Sequence, residues 1–176
     1  MTRDPLHGQP VAFGAWPPSM RPEKANVYGH NEIVSPIPPE RLWAWLIRAR
    51  GWSQWYANCR RLKIENGGRE LRLGTTFRWE TFGTTITSTV DLFEPARAPL
   101  HVCRLGWSWY GSTAQGYHVW LLEPFEDGTR VITEESQRGL GPRLAPSLFR
   151  AMLRTSHGMW LRSLSVRGQR PPPRDT

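Results

Sequence analysis

Between Pro146 and Arg167 apolar residues recur at intervals of three and four, the period of one helical face. Pro146 suits a first helical position, Gly168 a position just past the end, and Pro171 to Pro173 forbid continuation. These limits predict a helix of about 22 residues, roughly 33 Å long, enough to cross a small domain. Leu148, Phe149, Met152, Leu153, Met159, Trp160 and Leu164 share a broad apolar arc, opposite Arg150, Arg154 and His157 with Leu161 as the one apolar member there. Small residues, Ser156 and Ser163, sit near the middle of the apolar arc. Either a space is left beneath the helix or an opposing Trp fills it.

Upstream the period changes to two. Turn residues recur every ten or so positions from Leu62 to Gln137: Asn66-Gly67-Gly68, Gly74, Phe82-Gly83, Glu94-Pro95, Gly111, Gly116 and Asp127-Gly128. The segments between them are rich in Thr, Val, Ile, Phe and Trp, which predicts about six antiparallel strands joined by hairpins. Alternation puts Phe77, Trp79 and Thr81 on one face, Ile86, Ser88, Val90 and Leu92 on one face, and His118, Trp120 and Leu122 on one face. The last strand can turn either Val131, Thr133 and Glu135 or Ile132, Glu134 and Ser136 inward; the first set is favoured.

Before these strands, Val27 to Ser35 reads as a first strand ending at Pro36. A short helix follows Pro38-Pro39-Glu40 with Leu42, Trp43, Trp45, Leu46 and Ile47 as its apolar face, stopping at Gly51. Ser53 can cap a second short helix from Gln54 to Cys59. Residues 1–26 carry five prolines and no sustained period, so they read as a flexible arm, dispensable for folding, that Phe13 and Trp16 can lay on the body. The order predicts an α+β domain whose twisted sheet curls around the last helix.

Composition changes this picture in two places. The net charge is +8, from 23 Lys and Arg against 15 Asp and Glu, but all except Lys24 and Lys63 of the basic residues are Arg. Nearly all the excess lies after Ser136, on or beside the last helix, which suggests a solvated face or weak association with anionic surfaces through Arg150 and Arg154, without specific nucleic-acid recognition. Ten Trp residues supply flat apolar area for a core or a pocket. Cys59 and Cys103 have no CxxC spacing and suit buried thiols in a reduced interior, with a single disulfide as the alternative. The longest apolar run, Leu42 to Ile47, is far too short to span a bilayer, so a cytoplasmic location is expected.

Five segments, IPPERLW (37–43), GWSQWY (51–56), LGTTFRW (73–79), HVWLLEP (118–124) and DGTRVITEES (127–136), resemble in order and spacing the START-like (SRPBCC) superfamily, in particular its bacterial polyketide cyclase/dehydrase and lipid-transport group. The resemblance covers roughly residues 27–166 and implies a helix-grip fold: a curved seven-stranded antiparallel sheet around the C-terminal helix, two short helices after the first strand, and an apolar cavity between sheet and helix. It divides the chain into the arm at 1–26, the domain at 27–168 and a tail at 169–176.

The expected function is binding of a small hydrophobic molecule, lipid-like or aromatic and polyketide-like, with a cyclase or dehydratase in the same cavity as the alternative. Candidate cavity residues are Trp55, Trp79, Ser88 and Trp120 from the body, with Phe149, Met152, Ser156 and Trp160 from the helix. If catalysis occurs, His118 and Glu135 are its candidate acid–base pair, since pairing outward from the Asp127-Gly128 tip brings them together. His101, His118, Glu134 and Glu135 lack a compact metal-ligand spacing, so no metal is expected. No Walker loop, GxGxxG or GxSxG is present, and no cofactor is expected.

Overall fold

A computed structural model describes residues 16–172. Strand β1 (Val27–Ser35) and helix α1 (Pro39–Leu46) precede six strands: β2 (Arg60–Ile64), β3 (Thr76–Thr81), β4 (Thr84–Glu94), β5 (Cys103–Tyr110), β6 (Gln115–Phe125) and β7 (Gly128–Arg138). A short helix, α2 (Leu140–Leu144), leads into the long helix α3 (Pro146–Gly168). All seven strands form one antiparallel sheet in the order β1-β7-β6-β5-β4-β3-β2, so only the first strand breaks the hairpin sequence by pairing with the last.

The second short helix is a correction. A 3₁₀ turn over Ala49–Gln54 takes the place of the helix expected at Gln54–Cys59. Trp52 decides this: its ring is fully buried, and its indole N–H donates to the Leu46 carbonyl at 2.9 Å, satisfying an acceptor at the end of α1. The β3–β4 hairpin turns at Phe82-Gly83, where φ values of 52° and 73° give the two positive angles that a twisted two-residue loop needs.

Alternation holds along most strands. Val131, Thr133 and Glu135 face inward, while Ile132 joins an outer apolar cluster with Met20, Tyr117, Val119 and Leu121. Leu92 departs from its expected face. A register shift between Val90 and Leu92 turns it to that outer cluster.

The inward face of α3 is also rotated from the expected arc. Leu153, Ser156, His157, Trp160, Leu161, Leu164 and Gly168 are buried, whereas Leu148 is 59% exposed. His157 goes inside because a carboxylate waits there for it, as described below. Gly168 lies within the helix, and a Cβ on it would come within 2.6 Å of Leu42, so closeness to α1 is what demands glycine. Cys59 and Cys103 are buried free thiols, and burial pushes them up to about 12 and about 11.

From Trp16 onward, the segment expected to be a flexible arm lies on the outer face of the sheet. Trp16 packs on Tyr28 and Tyr117 at ring separations of 6.3 and 5.6 Å, and Met20 is buried. Ser136 Oγ donates to the Met20 carbonyl at 2.6 Å, and Arg138 to that of Ser19 at 3.0 Å. At the other end, Trp45 donates to the Arg170 carbonyl at 3.0 Å. Residues 1–15, including Phe13, and 173–176 lie outside the described residues.

Burying one large apolar side chain contributes about 1.5–3 kcal/mol. Deletion of residues 1–25 is therefore expected to lower Tm by roughly 5–10 °C. An unchanged melting temperature in differential scanning calorimetry would show that this packing contributes nothing.

Candidate functional site

Between the concave face of the sheet and the N-terminal half of α3 lies a chamber of about 130 Å³. Trp79 on β3, Trp107 and Trp109 on β5, and Trp160 on α3 form much of its wall. Phe149, Met152, Leu153 and Ser156 lie on the helix side. Phe82 and Thr84 from the β3–β4 hairpin, with Gly111 to Ala114 from the β5–β6 connection, complete the lining. Strand alternation and helical periodicity explain why these residues meet: each wall uses one face of its element.

Trp160 organises the apolar part. Tyr56 stacks on it at 4.2 Å, Trp52 and Trp120 meet it edge-on at 4.9 and 5.1 Å, and Trp79 does so at 5.8 Å. Offset and edge-on ring pairs each add about 0.5–1.5 kcal/mol beyond the area they bury. Ser156 leaves the space beside this ring, and its hydroxyl turns back to the Leu153 carbonyl at 3.1 Å.

The polar part is a cluster on β6, β7 and α3. His118 and Glu135 are direct partners across the β6–β7 ladder, and their side chains approach with Nδ1 3.2 Å from Oε2. His157 Nε2 donates to the same Oε2 at 3.2 Å, and Gln137 Nε2 donates to Oε1 at 2.7 Å. Thr133 Oγ1 lies 2.6 Å from His118 Nε2. The two imidazoles stack at 4.7 Å.

An isolated carboxylate here would cost several kcal/mol. Burial pushes Glu135 up, but the hydrogen bonds from His157 and the Gln137 amide act against it, leaving the carboxyl below its ordinary range. Burial drives His118 the other way, to about 3, with Glu135 opposing the shift and His157 adding to it. His118 is thus a neutral imidazole at pH 7.

Of the sequence candidates, Trp79, His118, Glu135, Phe149, Met152, Ser156 and Trp160 line the chamber. Three do not. Ser88 is buried and accepts the Trp79 indole N–H at 3.2 Å. Trp120 lies behind the wall, stacked on His118 at 5.4 Å. Trp55 lines a separate groove with Arg162, Ser163, Val166 and Arg167, because the 3₁₀ turn sends Trp52 inward in its stead. Arg150 and Arg154 are exposed on the outer side of α3, beside Tyr28 to Asn31 of β1.

His157, Gln137, Thr133 and Tyr56 were missed as site residues. Gln137 and Thr133 share the alternating face of Glu135, which was a usable signal. His157 is one turn from both Leu153 and Trp160, so a small rotation of the helical arc would have found it.

The architecture is that of the α+β helix-grip class, with a curved antiparallel sheet closed by one long helix. More particularly, the chain has the START-like (SRPBCC) fold, and solved structures similar to it bear this out. A hypothetical protein from Helicobacter pylori is 27% identical, with TM-score 0.78 over 88% of this chain and 95% of that one. The Zhui aromatase/cyclase from Streptomyces sp. R1128 is 16% identical, with TM-score 0.65 over 81% and 93%. A START superfamily protein from Mycobacterium smegmatis is 13% identical, with TM-score 0.62 over 81% and 97%. No protein-family model matches the chain, and no curated protein does. Among the described residues, no helix is long and apolar enough to cross a membrane.

The depressed His118 has a measurable consequence. Between pH 6.5 and about 3 the unfolded chain binds a proton there that the folded chain does not, so this group's contribution to stability is complete above pH 6.5 and declines as pH falls through that window. The slope is at most about 1.4 kcal/mol per pH unit. Thermal unfolding from pH 7 to 4 is expected to show a flatter acid decline in His118→Gln than in wild type. Equal slopes would contradict a buried neutral His118.

Proposed function

We propose that the protein binds a small, largely apolar molecule, about the size of one aromatic ring and bearing a hydrogen-bonding group, in the chamber between sheet and α3. The chamber's size carries this reading. Its volume of about 130 Å³ is close to that of an engineered cavity of roughly 150 Å³ known to hold benzene. A long acyl chain or a multi-ring polyketide exceeds it while Trp79, Trp107 and Trp160 keep their places, so the remainder of such a guest would project through the mouth near Phe82 and Ser112.

The preference for a polar group comes from the chamber's polar edge, where His118, Glu135, Gln137 and His157 line the void. The indole N–H groups of Trp107 and Trp160 are buried without a protein acceptor, and His157 Nδ1 is buried without a partner. The fold agrees with a ligand-binding role, since the similar structures include a START superfamily protein and an aromatase/cyclase.

A second reading, a cyclase or dehydratase, is favoured by the Glu135 carboxylate held between two imidazoles beside the chamber. There, His118 Nδ1 and His157 Nε2 both lie 3.2 Å from Glu135 Oε2, so the carboxylate is the group placed to exchange a proton with a substrate and His118 is the imidazole paired with it across the strands. His118→Ala is then expected to abolish turnover of a bound substrate and to keep affinity within a few-fold. Equal loss of affinity would make His118 a binding residue. Weak association of Arg150 and Arg154 with anionic surfaces belongs to the same proposal and would fall as salt rises, since screening acts over about 10 Å at 0.1 M.

Ser156 gives the direct test. Titration with phenol, followed by isothermal calorimetry, is expected to show saturable binding to wild type and Ser156→Ala, and loss of binding in a folded Ser156→Trp. If wild type does not bind and Ser156→Trp loses about 1–3 kcal/mol of stability through overpacking, the chamber is not a guest site.

A further inference from the structure

We propose that His118, Glu135 and His157 form a site for one divalent transition-metal ion of the zinc class, with its remaining coordination position open to the chamber. Nothing in this inference depends on the apolar-guest reading, because the ion would be held by protein donors alone.

The three side chains offer two imidazole nitrogens and one carboxylate oxygen, all within 4.8 Å of one another. Both His118 Nδ1 and His157 Nε2 lie 3.2 Å from the same Glu135 Oε2. A tetrahedral zinc ion with donors about 2.0–2.2 Å away holds them roughly 3.3–3.6 Å apart, so two of the three donor spacings are already close to those required. The His118 contact with Glu135 is proximity without the alignment of a hydrogen bond, whereas His157 and Gln137 do hydrogen-bond to that carboxylate. Two donors side by side, neither aimed at the other, suit a shared third body.

The surroundings fix the donors as an ion would need. Thr133 Oγ1 lies 2.6 Å from the far nitrogen of His118, and Gln137 holds the second oxygen of Glu135 at 2.7 Å. Such outer partners set ring tautomer and carboxylate orientation. To ligate, His157 Nε2 would exchange its bond to Glu135 for the ion and the proton would move to the buried Nδ1, a cost that ion binding has to exceed. A dication answers the one buried carboxylate and leaves a net single positive charge on the ion, shared with two neutral imidazole donors. Two His and one carboxylate with an open position is the donor set of zinc centres that bind water or substrate, in contrast to the closed four-ligand sets of structural sites. Because β6, β7 and α3 each supply one ligand, no short sequence spacing announces the site.

The test uses the full chain, stripped with a chelator and dialysed. Zn²⁺ titration by calorimetry is expected to give one ion per chain and a higher Tm, and Co²⁺ to give the visible absorption of a tetrahedral centre. Glu135→Gln and His157→Ala should lose both signals, and Thr133→Val should weaken binding about 10–100-fold. His101→Ala, an exposed residue paired with Glu40, should bind as wild type does. Circular dichroism checks folding, and if His157→Ala does not fold, Thr133→Val and Gln137→Leu decide the matter. Wild type that takes up neither ion, or uptake that survives unchanged in the folded variants, overturns the proposal.

Discussion

A carboxylate buried among tryptophans is the constraint around which this molecule is arranged. Glu135 is 7% exposed and sits where the sheet's inner face meets α3, so its charge must be answered by protein groups. The answer comes from three directions: His118 across the β6–β7 ladder, Gln137 two residues along the same strand face, and His157 from the helix. The His157 bond fixes rotation as well as charge. With His157 turned inward, Trp160 on the next turn must point into the sheet, and Arg154 and Arg162 must point out.

Trp160 then converts orientation into packing. Rings from β3, β5, β6 and, in the segment after α1, Trp52 and Tyr56 converge on it, so its position determines how much space remains beneath the helix. The residue one turn before it is Ser156, and beside that small side chain the packing stops short. The remaining void has aromatic walls and a charged, hydrogen-bonded edge. Dense aromatic packing thus makes this chamber small in a fold whose sheet and helix are long enough to enclose more.

Most of the fold was legible from sequence because strand periodicity and turn residues are local signals. β1, α1 and the six later strands lie close to where alternation and most of the Gly-marked turns put them, although Gly116 falls inside β6 and α1 ends at Leu46 instead of Gly51, and Val131, Thr133 and Glu135 do face inward. The departures arise from specific side-chain and register interactions that a local period does not encode. Trp52 ends α1 by reaching the Leu46 carbonyl, the register shift before Leu92 changes its face, and residues 16–26 lie on an outer sheet face whose apolar cluster no single strand displays. The candidate site was legible in part: the His118–Glu135 pairing follows from hairpin register alone. His157 was placed on the polar side of the helix since a helical wheel counts His as polar, and only the carboxylate across the chamber makes its burial favourable. Ser88 and Trp120 read as lining residues from strand alternation and Trp55 from its aromatic cluster, yet an indole–hydroxyl bond, a stack on His118 and side-chain direction take them elsewhere.

The central claim, that a small guest enters between Trp160 and the His–Glu–His edge, is open to one direct measurement. Imidazole NMR signals of His118 and His157 can be followed against those of His30 and His101, which lie outside the chamber, as a single-ring phenol is added. Saturable shifts confined to His118 and His157 are the result this account predicts. Unmoved signals from both chamber histidines at phenol concentrations that perturb the other two, or no perturbation anywhere, would contradict it.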